Sequence, residues 1–225
     1  TRVRSSAASD VYKRQDSDIL ASTDFNFLDI EVFRNQEFLL KSNLIDDLGN
    51  PMFNQHINLT FNGKKYHLIT DADGLVQQNI TLPSNFKLGN YVAKWDYSGF
   101  EYYLPSNNQQ NIRVLASTNI VLFSDSEVIV GETFSFNGTL NDDMGNPLKA
   151  TLSFSFGGSL IETIESNSNG YFENTYLVPN ESIAGPNTIV ITYVPDEFYL
   201  SSTSSWVLQV SHNIRIELPD YLSVS

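Results

Sequence analysis

Apolar and polar residues alternate along most of this chain. Leu152, Phe154 and Phe156 interleave with Thr151, Ser153 and Ser155. Phe134, Phe136 and Leu140 interleave with Ser135, Asn137 and Thr139, and Ile189, Ile191 and Tyr193 follow the same rule. A period of two places one set of side chains on each face of an extended strand. Ala93, Trp95 and Tyr97, the pair Ile112 and Val114, and the set Trp206, Leu208 and Val210 give further strands of this kind. Gly-Asn-Pro, Gly157-Gly158, Asn169-Gly170, Val178-Pro179-Asn180 and Ala184-Gly185-Pro186 punctuate them as turns. No segment carries a sustained 3.6-residue stripe, so no helix is expected.

The pattern repeats. Asp46-Asp47-Leu48-Gly49-Asn50-Pro51 returns as Asp142-Asp143-Met144-Gly145-Asn146-Pro147, 96 residues later. The same spacing pairs Phe38 with Phe134, Leu44 with Leu140, Gly74 with Gly170, Pro83 with Pro179, Tyr97 with Tyr193 and Tyr103 with Tyr199. The register slips by one only in the middle, where Ile57, Leu59 and Phe61 match Leu152, Phe154 and Phe156. A hairpin that differs by one residue accounts for the slip. Short alternating strands in units of about 100 residues predict an all-β chain of two tandem immunoglobulin-like β-sandwich domains. A closed barrel of similar size is the rival arrangement. The domains are expected at 18–116 and 117–211. Residues 1–17 are expected to be an unstructured basic arm or an artefact, and 212–225 the start of a truncated third repeat, with a strand-like run at Asn213–Leu218. The links between repeats, Ala116-Ser117-Thr118 and Ser211-His212, are very short and suit a semi-rigid array.

Each repeat resembles the prokaryotic immunoglobulin-like domains found in tandem on bacterial and archaeal surface proteins. The resemblance rests on Leu44 to Pro51 and Leu140 to Pro147, and on the mid-domain turns Asp71-Ala72-Asp73-Gly74 and Asn167-Ser168-Asn169-Gly170. It also rests on the late pairs Tyr97 with Tyr103 and Tyr193 with Tyr199. It covers Phe25 to Val210. The late region departs from the Gly-Asp common in those families, reading Ser98-Gly99 and Val194-Pro195-Asp196. The resemblance implies a spacer, stalk or adhesive module without a family active site, extracellular or at a cell surface. The neighbouring repeats of the same chain are its first partners, and a surface glycan or protein is a further one. Separately, the stretch from Ser5 to Gln15 resembles translated sequencing-adapter read-through, and the arm is left out of the fold.

Composition narrows the function. The net charge is −13, with 13 Lys and Arg against 26 Asp and Glu. A nucleic-acid binder needs a basic footprint, so that class is excluded, as is charge-driven adhesion to anionic lipid. No apolar run is long enough to span a membrane as a helix. Cysteine is absent, which removes disulfides, zinc thiolates and thiol nucleophiles. Apolar residues at 41% and aromatics at 12% suffice for packed cores. The chain is expected to be non-catalytic and to need no cofactor or metal. No Gly-x-Ser-x-Gly elbow or phosphate-binding glycine loop occurs, and His56, His67 and His212 lack metal-ligand spacing.

Four groups of residues carry what chemistry there is. Asp46, Asp47, Gly49 and Pro51, with Asp142, Asp143, Gly145 and Pro147, could offer carboxylates to calcium. They read better as strand-connecting turns, in which Asp and Asn cap the backbone. Asp71-x-Asp73-Gly74 opens like a calcium loop, but its twin has Asn167 and Asn169, so the feature common to both is a hairpin with Gly74 or Gly170 at positive φ. A purely conformational demand there would spare Asn. Asn58, Asn79, Asn137 and Asn180 stand in Asn-x-Ser/Thr sequons and are candidate glycosylation sites, the first three on outward strand positions and the last in a turn. In the aromatic cluster from Tyr91 to Tyr103, strand parity sends Tyr91, Trp95 and Tyr97 inward and leaves Phe100 and Tyr102 as ligand-facing candidates. The alternative to a spacer or adhesive segment is therefore a carbohydrate- or protein-binding module of a larger secreted or surface enzyme.

Overall fold

The computed structural model describes residues 20–213. The basic arm and most of the predicted third repeat lie outside them. The first repeat contains β1 (Thr23–Asn26), β2 (Ile30–Phe33), β3 (Glu37–Asp46), β4 (His56–Phe61), β5 (Lys64–Ile69), β6 (Leu75–Thr81), β7 (Gly89–Tyr97) and β8 (Ser106–Leu115). The second contains β9 (Thr118–Ser124), β10 (Glu127–Ile129), β11 (Thr133–Asp142), β12 (Thr151–Phe156), β13 (Ser159–Glu165), β14 (Tyr171–Leu177), β15 (Gly185–Tyr193) and β16 (Ser202–Ser211).

Each repeat builds a three-stranded and a five-stranded sheet, in orders β1-β3-β6 with β2-β8-β7-β4-β5, and β9-β11-β14 with β10-β16-β15-β12-β13. The orders are the same strand for strand. Pairing is antiparallel except where β2 meets β8 and β10 meets β16, which run parallel. The chain thus starts each repeat in one sheet and crosses at once to the other. This is a sandwich of open sheets rather than a closed barrel. By packing, the described chain falls into two compact units, one of 20–29, 39–79 and 92–111, the other of 30–38, 80–91 and 112–213. The second unit therefore includes β2 of the first repeat.

The inward side chains are those the alternation marks. Phe134, Phe136, Leu140, Leu152, Phe154, Ile189, Ile191, Leu208 and Val210 are buried in one core, with Trp206 half-buried at its margin. Phe136 and Phe154 lie 4.6 Å apart, and Tyr176 meets Phe134 and Phe154 edge-on. In the first repeat Leu40, Leu59 and Ile80 stand where three of these aromatics stand, and buried Trp95 supplies bulk instead. A buried indole needs an acceptor. Gln110 Oε1 accepts from Trp95 Nε1 at 3.2 Å, and the Gln110 amide in turn donates to the Leu28 carbonyl at 2.6 Å.

The duplicated turns fold alike. Asp46 Oδ1 accepts from the backbone N–H of Leu48 and Asn50, and Asp142 Oδ1 accepts from Met144 and Asn146. Asp71 and Asn167 cap their hairpins through the same atoms and the same two backbone donors. A neutral amide does here what a carboxylate does, so the turn is shaped by hydrogen bonding to the backbone. Among the described residues no group of three His, Asp or Glu is placed to hold a metal ion.

Gly170 has φ 70°, and a Cβ there would sit 2.4 Å from the Leu140 carbonyl oxygen and 3.1 Å from Pro147. Gly74 repeats this, with 2.6 Å to the Leu44 oxygen. The position is closed by crowding as well as by φ, so Asn is not spared as the sequence alone led one to expect. Gly145, at φ 80°, has nothing within 4 Å of its would-be Cβ and is a purely conformational glycine.

Within the second unit Arg34 is buried, 8% exposed, with its guanidinium against two carboxylates. Its Nη2 donates to Asp142 Oδ2 at 2.7 Å and also to Asp143 Oδ1, and its Nε donates to both Asp143 oxygens at 2.9 and 3.1 Å. The hydrogen bonds to Asp143 are the main reason the Arg34 pKa is raised further. Burial alone would raise the Asp142 pKa. Hydrogen bonds from Asn146 and Arg34 outweigh it and hold the carboxyl below its ordinary value.

Gly170→Asn and Gly170→Val should each cost about 2–3 kcal/mol in a urea titration, a penalty of overpacking against backbone. Gly145→Asn should cost under about 1 kcal/mol, since Asn tolerates the left-handed region in open space. A tolerated Gly170→Asn would show that the neighbouring carbonyl yields. For Asp142, a lowered folded pKa means stabilisation that is full above the unfolded value of about 4 and is lost as pH falls through the folded value. The urea midpoint gap between the natural chain and Asp142→Asn should therefore shrink from pH 6 to pH 2.5. A gap independent of pH would contradict a charged Asp142. Arg34→Ala, which strands a buried carboxylate, should cost about 3 kcal/mol or more at pH 7.

Candidate functional site

The first repeat carries a cleft of about 490 Å3, lined by Phe53, Asn54, Gln55, His56, Asn58, Tyr97, Ser98, Gly99 and Phe100. It lies at one end of the five-stranded sheet, where the loop entering β4 faces the loop leaving β7. Phe53 and Phe100 are 64% and 59% exposed. These are large apolar rings left facing water without a polar tip. No Asp, Glu, Lys or Arg lines the cleft.

Its walls are held in place. Buried Thr70, just after β5, fixes the loop that carries Phe53. Its hydroxyl donates to the Met52 carbonyl at 2.5 Å and accepts from Gln55 N–H at 2.8 Å, while its own carbonyl accepts from Asn54 N–H at 3.0 Å. Asn54 takes the left-handed conformation, φ 57°, which turns the chain at the rim. Tyr97 reaches across and donates its hydroxyl to Gln55 Oε1 at 2.7 Å, and Gln55 Nε2 donates to the Phe53 carbonyl at 3.0 Å. Burial, reinforced by neighbouring Tyr103, pushes the Tyr97 pKa up, so the phenol stays a neutral donor. Phe100 sits in a tight loop closed by the backbone pair Phe100–Tyr103. Asn58, which lines the cleft, has its Oδ1 2.6 Å from Nδ1 of His67 on the neighbouring strand.

The sequence candidates divide accordingly. Phe100 is on the cleft wall. Tyr102 is just as exposed, at 60%, but does not line the cleft. Tyr97 is at once a core residue and the bridge to Gln55. Asn58 is half-buried and lines the cleft, so a glycan on it and a ligand in the cleft would compete for one space. Asn79, Asn137 and Asn180 are exposed. The Asp-Asp turns and the two Asx-Gly hairpins do not line the cleft.

Phe53 escaped the sequence reading, although a signal for it existed. Gln55 and Ala150 make equivalent bonds, to Thr70 and Ser166, and Met52 and Leu148 likewise give their carbonyls to those hydroxyls. Between them lie two residues, Phe53 and Asn54, in the first repeat, and only Lys149 in the second. The one-residue slip thus begins in this loop. The hairpin then absorbs it, since β13 has a bulge that skips Ile161 opposite Phe154 and Ser155.

The second repeat has a smaller hollow at the same place, about 300 Å3, lined by Lys149, Thr151, Ser153, Tyr193, Val194 and Asp196 among others. Lys149 and Asp196 replace the rings of Phe53 and Phe100. The aromatic cleft belongs to one repeat and is not a by-product of the fold.

No family model and no curated protein sequence matches the chain. Solved structures match in shape. A crystal structure of the ICAM-5 D1–D4 ectodomain fragment has 9% identity and a TM-score of 0.51 over 84% of this chain and 53% of that one. This chain thus spans about half the length of that structure. The titin I-band fragment I67–I69 matches at 10% identity and TM-score 0.43, over 84% of this chain and 66% of that one. A structure from a 1.5-MDa bacterial ice-binding adhesin matches at 12% identity and TM-score 0.36, over 87% and 65%. The first of these likenesses establishes the fold and nothing further. The chain is all-β, built of tandem immunoglobulin-like sandwiches.

Thr70→Val keeps the shape of the buried side chain and removes its hydroxyl. It should cost about 1–3 kcal/mol, since the Met52 and Gln55 backbone groups lose a partner. Hydrogen–deuterium exchange should quicken at Asn54 and Gln55. Unchanged exchange would mean that the loop is held by other bonds.

Proposed function

We propose that this chain is a non-catalytic adhesive segment of an extracellular or cell-surface protein built from tandem immunoglobulin-like repeats, with domains at 18–116 and 117–211. The observation that carries this reading is the asymmetry of the two repeats. One scaffold occurs twice, and only the first copy exposes two unsupported aromatic rings over a pre-formed cleft. Exposed aromatics on a rigid wall suit recognition, since they offer contact area with little entropy to lose. The second repeat, with Lys149 and Asp196 at the rim, serves as a spacer. A cleft without a carboxylate pair lacks the acid and base that glycoside hydrolysis needs, which favours binding over turnover. The same cleft also supports the alternative, an accessory binding module of a larger secreted or surface enzyme. Neighbouring repeats of the same chain would be the structural partners, and a surface glycan or protein the bound one.

Beads coated with the chain should adhere to cultured bacterial or epithelial cells under gentle flow. Phe53→Ala and Phe100→Ala should each cut retention severalfold, while Lys149→Ala in the second repeat leaves it unchanged. Beads that never adhere, or that adhere equally with both rings removed, would refute the adhesive reading.

A further inference from the structure

We infer that the cleft of the first repeat is a binding subsite for an uncharged saccharide ring. This rests on the adhesive reading above and names the ligand class for the same site. The rim supplies Phe53 and Phe100, flat apolar surfaces that match the C–H faces of a pyranose. Around them stand the Asn54 and Asn58 amides, the His56 imidazole and the Ser98 hydroxyl. Each of these groups can both donate and accept a hydrogen bond. A sugar hydroxyl has the same dual character, so hydroxyls arriving at this wall find partners in either sense. A charged ligand would not fare as well. No side chain of opposite charge lines the cleft, and a desolvated charge without a partner is costly. The net charge of −13 further disfavours a polyanionic glycan.

Size and order agree with this. A volume of about 490 Å3 lies in the range of small-ligand sites. The Thr70, Gln55 and Tyr97 bonds fix one wall, the Phe100–Tyr103 pair fixes the other, and His67 fixes the Asn58 amide. Little ordering is left to be done on binding. The second repeat provides the contrast within the molecule. There Thr151, Ser153, Val194 and Asp196 take the places of His56, Asn58, Ser98 and Phe100, and the stacking surface is gone.

The test is native affinity electrophoresis of the whole chain, made in a bacterial host so that Asn58 is unmodified. The gels contain laminarin, yeast mannan, xylan, dextran or, as the anionic case, alginate. At least one neutral polymer should retard the chain. Phe53→Ala and Phe100→Ala should each weaken that retardation roughly tenfold, as truncation of a central aromatic anchor does. Tyr102→Ala, exposed but off the cleft, should migrate as the natural chain does. Both rings are solvent-facing, so thermal melts should show the variants folded. Retardation by no neutral polymer, by alginate alone, or unchanged after removal of both rings would overturn the proposal. Bead adhesion that depends on Phe53 without any neutral-polymer retardation would leave the adhesive reading standing and replace the saccharide with a protein ligand.

Discussion

Three chain segments meet at one residue in each repeat, and the rest of the sandwich is hung from that meeting. The Leu44 N–H donates to the Gly74 carbonyl, and the Leu44 carbonyl accepts from Met52 N–H, while the Leu44 side chain is fully buried. Leu140, Gly170 and Leu148 make the same junction. Strand, Asx hairpin and incoming loop approach so closely that the glycine can carry no side chain. A backbone polar group buried in such a place must be paired. The junction pairs them, and in doing so fixes the register of β3 and β11 and the entry angle of the loops that lead to β4 and β12.

Because that junction is fixed, variation in length has to be absorbed nearby. The first repeat spends an extra residue between Met52 and Gln55, and the second repeat spends its extra residue in β13. One becomes a rim with Phe53 thrown outward and Asn54 in the left-handed region. The other becomes a bulge that leaves the hairpin paired on both sides. A bulge of this kind leaves one residue unpaired and increases the local twist, and the ladder resumes on either side. Two solutions to one constraint thus accompany a cleft of about 490 Å3 in one repeat and a hollow of about 300 Å3 in the other.

The alternation of Leu152, Phe154 and Phe156, and of its partners, was enough to predict the strands and the core, because a half-buried strand states its own orientation. The turns were legible because Asp46, Asp71, Asp142 and Asn167 accept from backbone N–H groups two and four residues on, whereas the crowding of Gly74 and Gly170 against carbonyls about 30 residues earlier left no local sign. The site was legible only in part. Phe100 stood out in its loop, but its companion Phe53 lies 47 positions earlier, and nothing local says that the two face one cleft. Tyr102 looked equivalent to Phe100 in sequence and is equally exposed, yet the tight Phe100–Tyr103 loop turns only one of them to the cleft. Asn58 is outward by parity, and the structure has it half-buried at the cleft. That it lines a cleft depends on loops outside its own strand, those carrying Phe53 and Phe100.

The two Asp turns show why a motif read twice need not mean the same thing twice. Asp46 and Asp142 accept the same backbone bonds, and each also accepts from its own Asn side chain, Asn50 or Asn146. Hydrogen bonds from Asn50 lower the Asp46 pKa with little opposition from burial. Asp142 is buried and must overcome desolvation, which it does with the help of a guanidinium from 108 residues away in sequence. No turn preference could announce that arginine, since Val130 stands at its place in the second repeat. What repeats in this chain is therefore the part that backbone geometry dictates. What does not repeat are contacts between residues far apart in sequence, Arg34 with Asp142 and Phe53 with Phe100 on one cleft, and neither can be read from the motif around it.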